Sequence, residues 1–346
     1  MKAVVYYAPG DIRVEDRPMP SEESGSMIAK VICCAICGTD LKIYKSGNPR
    51  CTPPRIIGHE MVGTLIHVGD EVEGFNVGEN ITLATTIACG VCDYCKTGLQ
   101  NLCPDARPVS YDFDGAFAEY IRIPREAVAG GNVIKVPEGI SAEKYAIAEP
   151  LSCAVNAQEI IRIGEKDTVV VVGGGPLGAI HAELAKANGA KKAIVVASAG
   201  PRFELLKKLE GVTLIDRKNE DVQERVRELT GGTGADAVIV CAPSKEAMED
   251  SLYLARKGGR ISWFSSLPKG GSEVCLDSRI IHYNELIVAG CSDSRPEHVQ
   301  AAVRLIADGK INCGAIITHR LSIDDFAEGI EVMNNKESLK VLIYPD

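Results

Sequence analysis

Long apolar runs and an excess of basic residues are both missing from this sequence of 346 residues. No uncharged apolar stretch approaches the roughly 20 residues that cross a bilayer, so a membrane-spanning protein is not expected. Lys and Arg number 38 against 47 Asp and Glu. The resulting net charge of −9 gives no electrostatic basis for binding nucleic acid or an anionic membrane. No secretory signal pattern follows Met1, so we predict a cytoplasmic protein.

The length and the residue pattern predict two domains and a return segment. At 346 residues the chain corresponds to about two domains of roughly 150 residues each. Residues 1–150 contain short β-branched runs between turn residues, which indicates an irregular β-rich domain. Residues 292–346 contain two helical patterns and a final strand, and we expect them to pack back on the first domain. The predicted strands of the first domain are 28–32, 61–68, 80–83 and 118–123.

From residue 151 to residue 291, apolar strands alternate with helices. This alternation indicates βαβ units on a parallel sheet, and continuously apolar strands indicate a sheet covered on both faces. The predicted fold class is therefore α/β, with a Rossmann-type domain beside a β-rich domain. The strands are predicted at 168–172, 193–196, 212–215, 237–240 and 259–264, and the helices at 176–188, 202–209, 221–229 and 247–255.

A glycine-rich turn follows the first of these strands. Gly173, Gly175 and Gly178 form G-x-G-x-x-G, with Pro176 and Leu177 opening the next helix. This context is typical of a dinucleotide site, in which the glycines permit a tight turn, close approach of a pyrophosphate, and helix packing. The free N–H groups at the helix N-terminus suit the phosphates.

The end of the second strand favours NADP over NAD. Sites for NAD usually carry an acidic residue there for the ribose 2′-hydroxyl, but this chain has Ala197. Ser198 and Arg202 follow, and a hydroxyl with a guanidinium would suit a 2′-phosphate. The alternative is a solvated Arg202 and a site that accepts both cofactors.

Four of the thirteen cysteines form a compact cluster. Because no secretory signal is evident, metal binding is a better interpretation of these cysteines than disulfides. Four thiolates without an open position are typical of a structural zinc site, although this spacing does not strictly exclude an iron–sulfur cluster. The cluster, within about residues 88–104, consists of Cys89, Cys92, Cys95 and Cys103.

Six motifs in order resemble a known family. They are CGTD (37–40), GHE (58–60), the four-cysteine lobe, DGAFAEY (114–120), AEPL (148–151) and GGGPLG (173–178). The chain resembles, over its whole length, the zinc-containing medium-chain alcohol dehydrogenases, and among them the sorbitol and other polyol dehydrogenases, with threonine dehydrogenase close by. The resemblance implies a GroES-like fold for the first domain.

The same resemblance implies a catalytic zinc ion. It assigns Cys37, His59 and Glu60 as ligands together with a water, and Glu149 as an acid that binds the metal or holds its water. Zinc would lower the pKa of a substrate hydroxyl, and hydride would pass to the nicotinamide. Thr39 would carry the hydroxyl proton toward the cofactor ribose.

Departures from the family leave the substrate open. Relatives often carry a His five residues after the zinc Cys, where this chain has Lys42, so the last proton step is left to water or another group. Lys42, Lys45 and Arg50 would suit a phosphate or carboxylate, or would simply be solvated. We expect NAD(P)-dependent oxidation of a polyol or sugar. The alternatives are a threonine-type, simple secondary alcohol or sugar-phosphate dehydrogenase, and a non-catalytic relative of the same fold.

An apolar strand predicted at residues 286–289 lies at the end of the parallel sheet. An exposed apolar edge favours pairing with a second subunit. The resemblance implies dimers that pair here, so we predict a homodimer or homotetramer.

Overall fold

The computed structural model describes residues 1–345, which divide into two units. Unit 1 contains Met1–Ser152, Asp293–Asp308 and the chain from Ile317 onward. Unit 2 contains Cys153–Ser292 and Gly309–Ile316.

The N-terminal part of unit 1 is built from short strands and few helices. Short 3₁₀ helices lie at Gln100–Leu102 and Ala142–Ile147. In chain order the elements are β1 (Lys2–Ala8), β2 (Asp11–Asp16), β3 (Met27–Ala35), α1 (Gly38–Ser46), β4 (Arg55–Ile56), β5 (Glu60–Val68), β6 (Asn80–Leu83), β7 (Thr86–Ile87), α2 (Asp93–Lys96), β8 (Arg107–Pro108), β9 (Tyr120–Ile123), α3 (Arg125–Ala129), β10 (Val133–Lys135) and α4 (Ala148–Ile160), whose residues after Ser152 belong to unit 2.

Unit 2 alternates strands and helices as the sequence predicts. Its six-stranded sheet has the order β13-β12-β11-β14-β15-β16, and every pair in it is parallel. The elements are β11 (Thr168–Val172), α5 (Pro176–Ala187), β12 (Lys192–Ala197), α6 (Pro201–Leu206), β13 (Val212–Asp216), α7 (Val222–Leu229), β14 (Ala235–Val240), α8 (Lys245–Leu254), β15 (Ala255–Trp263), α9 (Ser278–Tyr283) and β16 (Ile287–Gly290).

The C-terminal part of the chain returns to unit 1 and completes its main sheet. Its elements in unit 1 are α10 (Pro296–Ala307), β17 (Ile317–Ser322), α12 (Phe326–Asn334) and β18 (Lys340–Tyr344), while α11 (Cys313–Ile316) lies in unit 2. The seven-stranded sheet has the order β10-β6-β5-β3-β18-β17, with β9 also paired to β3. The antiparallel pairing of β18 with β3 puts Leu342 opposite Ala35.

One segment of the predicted return segment belongs to the other unit. Residues 309–316 were expected in the return segment, but they belong to unit 2. The backbone N–H of Asn312 donates to the Glu183 carboxylate of α5 at 3.0 Å, which ties this stretch to the parallel sheet layer. The other limits fall at 152 and 293, within two residues of the predicted ones.

The α/β class, with a parallel Rossmann-type sheet and a β-rich GroES-like domain, is confirmed. The central strands β11 and β12 of the parallel sheet are almost wholly buried, from Val169 to Val171 and from Ala193 to Val196, because helices cover them. No helix within residues 1–345 is both long enough and apolar enough to span a bilayer.

Candidate functional site

Strand pairing in unit 1 brings the first candidate metal ligands together. β3 and β5 pair so that Ala35 lies opposite Glu60. Cys37, two residues beyond β3, therefore lies beside His59, the residue just before β5. One potential ligand atom from each of Cys37, His59 and Glu60 lies within 4.8 Å of the other two.

The backbone before His59 requires a glycine. Gly58 has φ +100°, and a Cβ added there would stand 2.6 Å from the Phe117 ring. A contact distant in sequence also holds the turn, because the Gly58 N–H donates to the Ser110 hydroxyl at 3.0 Å. These contacts fix the direction in which His59 enters β5.

Asp40 is a buried carboxylate that the sequence reasoning did not single out. Its Oδ2 accepts from the Cys37 N–H at 2.8 Å, and its Oδ1 lies 3.8 Å from Nδ1 of His59. Burial raises the pKa of Asp40 to about 6. The sequence feature that could have identified Asp40 is its position three residues after Cys37, in the first turn of α1, where an acid caps the helix.

The charges around His59 are arranged for a cation. Burial acts to lower the pKa of His59, but the negative charges of Cys37, Asp40 and Glu149 outweigh it and raise that pKa well above its usual value. A field that draws a positive charge to the imidazole fits a divalent metal ion held by a thiolate and a nitrogen.

Glu60 has a second partner that the sequence did not indicate. Both of its carboxylate oxygens bond the Lys340 ammonium, and both side chains are buried. Lys340 begins β18, which lies beside β3 in the sheet. Burial favours the neutral amine, but the charges of Glu60 and Cys37 prevail and raise the pKa of Lys340.

Glu149 and Thr39 lie near this group but outside it. Glu149 is buried in the first turn of α4, and burial raises its pKa to about 7, with the charges of Glu60 and Asp293 adding to the effect. It is not among the residues whose ligand atoms lie within 4.8 Å of one another at Cys37. Thr39 is half-buried in the first turn of α1.

The four-cysteine cluster has the dimensions of a single tetrahedral site. Sulfur–sulfur distances are 3.5 Å for Cys92–Cys95, 3.8 Å for Cys92–Cys103 and 3.9 Å for Cys89–Cys95. Zn–S bonds of about 2.3 Å give a tetrahedron with edges of about 3.8 Å. A four-iron cluster would hold the sulfurs further apart, because each sulfur binds a different iron atom. Backbone N–H groups of Val91 and Cys92 lower the pKa of Cys89 to about 6.

The glycine turn of unit 2 connects β11 to α5. Gly173 has φ +123°. A Cβ at Gly178 would stand 1.8 Å from the Gly173 carbonyl, so the close packing of α5 on β11 needs a glycine there. Apart from its chain neighbours, no atom of residues 1–345 lies within 4 Å of a Cβ added at Gly175, which leaves this face of the turn open for a phosphate. Pro176 and Leu177 begin α5.

Ala197 is the last residue of β12, and its side chain faces this turn. A Cβ added at Gly174 would stand 2.5 Å from the Cβ of Ala197. Ser198 is exposed, and Arg202 is half-buried in the first turn of α6. The structure adds Lys218, whose ammonium donates to the Ala199 carbonyl at 3.0 Å and so places another cation beside Ser198.

Comparisons with known proteins agree with this arrangement. The model for the alcohol dehydrogenase GroES-like domain matches residues 23–138, and the model for zinc-binding dehydrogenases matches residues 176–308. A sorbitol dehydrogenase from Halalkalibacterium halodurans is 30% identical over 100% of this chain and 99% of its own. An L-threonine 3-dehydrogenase from Pyrococcus abyssi is 34% identical over 94% of this chain and 92% of its own. A zinc-binding dehydrogenase from Sinorhizobium meliloti bound to NADP has a TM-score of 0.91 at 30% identity, with 99% of each chain covered.

Proposed function

The chain belongs to the zinc-containing medium-chain alcohol dehydrogenase family, and on that premise we propose that it transfers hydride between NADP and a secondary alcohol of the polyol or sugar class. The observation that carries the proposal is the convergence of Cys37, His59 and Glu60 on one point at the ends of β3 and β5. The intact ligand set argues against a non-catalytic relative.

Cys37 and His59 would hold the catalytic zinc, with Glu60 completing the set and Glu149 beside it. When bound, zinc supplies Lewis-acid chemistry that lowers the pKa of a hydroxyl. The protein's residues prepare the site for this. Asp40 faces Nδ1 of His59, which leaves Nε2 for the metal.

Thr39 is the proposed proton acceptor for the substrate hydroxyl. It lies two residues after Cys37, in the first turn of α1, so its hydroxyl is close in sequence to the thiolate that would bind the metal. Lys42 is exposed one turn later and takes the place of the relay histidine of many relatives. We propose that the proton leaves through water from this point.

The cluster of Cys89, Cys92, Cys95 and Cys103 is proposed to hold a structural zinc. Its support is the agreement between the sulfur–sulfur distances and the edge of a zinc–thiolate tetrahedron. With all four positions taken by sulfur, no position remains for substrate.

NADP is the proposed cofactor. Gly173, Gly175 and Gly178 would cradle its pyrophosphate at the start of α5. Ala197 introduces no negative charge against a 2′-phosphate, and Ser198 and Arg202 follow it. The NADP bound to the Sinorhizobium meliloti relative is in line with this choice.

A threonine-type dehydrogenase is the second candidate, since one such relative reaches 34% identity. We also propose a homo-oligomer, dimer or tetramer, that pairs through β16. This strand forms an edge of the six-stranded sheet, and its Ile287 is 57% exposed. The cytoplasmic location stays a prediction.

The function is tested by metal analysis together with kinetics on a panel of alditols, ketoses, threonine and simple secondary alcohols, each with NAD and NADP. We expect about two zinc ions per chain. Cys37→Ser and His59→Ala should each remove one zinc and abolish turnover, while NADPH fluorescence still reports cofactor binding. Full turnover in either variant, or in metal-stripped protein, would falsify the zinc role.

A further inference from the structure

The loop between α1 and β4 carries an arginine whose charge has no acidic partner among residues 1–345. This loop, residues 47–54, connects the segment after Cys37 to the segment before His59. Arg50 lies on it and is exposed, yet its guanidinium is held by two tertiary contacts. Its Nη2 donates to the Ala106 carbonyl at 3.0 Å, and its Cζ lies 5.8 Å from the centre of the Tyr111 ring.

Within residues 1–345, Arg50 makes no ion pair. Arg55, five residues further on, shows the contrast, since it pairs with Asp114 at 3.0 Å. The other basic candidates of this region differ from Arg50 too. Lys45 donates to the Asn334 side chain, and Lys42 is exposed on α1. Arg50 is therefore an oriented cation with free N–H donors.

Tyr111 connects this cation to the metal-ligand group. The preceding residue, Ser110, is buried with φ +77°, and its hydroxyl accepts from Gly58, the residue before His59. The Cys51 thiol contacts the Ser110 carbonyl at 3.5 Å, which ties the loop of Arg50 to the same turn.

The electrostatics of Tyr111 agree with that position. Burial raises the pKa of the Tyr111 phenol, and the charges of Asp40 and Cys37 raise it further. The ring therefore lies within electrostatic range of the thiolate that would bind the metal. The Arg50 guanidinium approaches the same ring, with its Cζ 5.8 Å from the ring centre.

We propose that Arg50, held over the Tyr111 ring, binds the oxyanion of an anionic substrate, so that the alcohol oxidised is a sugar derivative carrying a carboxylate or a phosphate. This inference rests on the proposed function and narrows its substrate class. A guanidinium offers paired N–H donors that match two oxygens of either group. The contact with the ring and the bond to the Ala106 carbonyl restrain the side chain before the substrate arrives.

The test compares anionic and neutral substrates of the same carbon skeleton. Steady-state kinetics with NADP are measured for D-gluconate, L-galactonate and sorbitol 6-phosphate against sorbitol and galactitol. We expect the wild type to prefer an anionic compound. Losing one charge-assisted contact should lower the anionic-to-neutral ratio of kcat/KM roughly 10- to 100-fold in Arg50→Gln. The aldonates and the alditol phosphate show which oxyanion the site takes.

Matched variants distinguish the Arg50–Tyr111 contact from a general effect of positive charge on the protein. Arg125→Gln removes an exposed arginine of α3 that likewise makes no ion pair within residues 1–345, and it should leave the ratio unchanged. Tyr111→Phe keeps the ring and should keep the preference, whereas Tyr111→Leu should weaken it. Melting curves check that each variant folds.

Two results would overturn the inference. The first is a wild-type enzyme that turns over sorbitol or galactitol at least as well as every anionic compound, which leaves the dehydrogenase function standing. The second is an Arg50→Gln variant with an unaltered ratio. Absence of turnover on alcohols and ketones of every class, with either cofactor, would instead overturn the proposed function and this inference with it.

Discussion

The ammonium of Lys340 donates to both carboxylate oxygens of Glu60, and both side chains are buried. A buried carboxylate without a partner is costly, whereas an apolar replacement of the whole pair is tolerated. The pair thus lets a negative group lie within reach of Cys37 and His59 in the folded protein. It makes Lys340 a positioning residue for the proposed metal centre.

Lys340→Met is expected to lower the free energy of unfolding by about 3 kcal/mol, because Glu60 is left buried and unpaired. Urea unfolding in the presence of a chelator measures this loss without a contribution from metal. The double variant Lys340→Met, Glu60→Leu should recover much of it. If Lys340→Met unfolds at the wild-type urea concentration, the pair does not stabilise the fold.

Asp40→Asn should weaken metal binding at the catalytic centre about 10- to 100-fold. Asparagine can still accept the Cys37 N–H and cap α1, so the change mainly removes the negative charge facing Nδ1 of His59. Competition with a chromophoric chelator gives the affinity. Asp93→Asn, which removes the first-turn acid of α2, is the control. Equal affinities in wild type and Asp40→Asn would exclude an orienting role.

These two residues show where sequence reasoning stops. The pattern of apolar runs predicted β6 and β11 with their observed bounds, since periodicity and turn residues are local signals. Lys340 is 280 positions from Glu60, and only the return of β18 to β3 brings them together. A lone lysine at the start of a strand gives no local sign that it is buried.

The candidate ligands were predictable for a different reason. Cys37, His59 and Glu60 follow from the resemblance of short motifs, and strand pairing then brings them together. The relation of Glu149 to this group depends on where α4 packs, which no local pattern specifies. Residues 309–316 were assigned to the wrong segment for the same reason, because the Asn312–Glu183 contact is non-local.

Ala197→Asp should shift cofactor preference from NADPH toward NADH. The Ala197 side chain faces the glycine turn at Gly174, so a carboxylate there would repel a 2′-phosphate. We expect NADPH affinity to fall at least about tenfold, measured by fluorescence titration of both cofactors. Ala197→Asn has nearly the same shape without the charge and is the control. An unchanged ratio of affinities would mean that the 2′-phosphate is bound elsewhere, with Lys218 the first residue to examine.

His181 should make the protein less stable in acid. Burial lowers its pKa to about 3, and the ring packs edge-on against Phe264. In the unfolded chain His181 takes up a proton near pH 6.5, whereas in the folded state it stays neutral. The free energy of unfolding therefore decreases as the pH falls below that value. Between pH 7 and pH 5 this amounts to about 2 kcal/mol.

Urea unfolding at both pH values isolates the contribution of His181. His181→Gln should lose less stability between pH 7 and pH 5 than the wild type, by that same difference. His282→Gln, at an exposed histidine of α9, should follow the wild type. Equal losses of stability in wild type and His181→Gln would show that folding does not lower the pKa of His181.

Cys95→Ser is expected to release the structural zinc and loosen the lobe while the catalytic zinc stays. The sulfur of Cys95 approaches those of both Cys89 and Cys92, so its loss opens the tetrahedron. The lobe keeps an anchor, because the Arg295 guanidinium donates to the Gly98 carbonyl at 2.6 Å, and unfolding should therefore remain local. Zinc content should fall from two ions to one, and limited proteolysis should cut within residues 88–104. Cys275→Ser changes an exposed cysteine and should alter neither. Retention of two zinc ions and resistance to protease in Cys95→Ser would contradict a metal-held lobe.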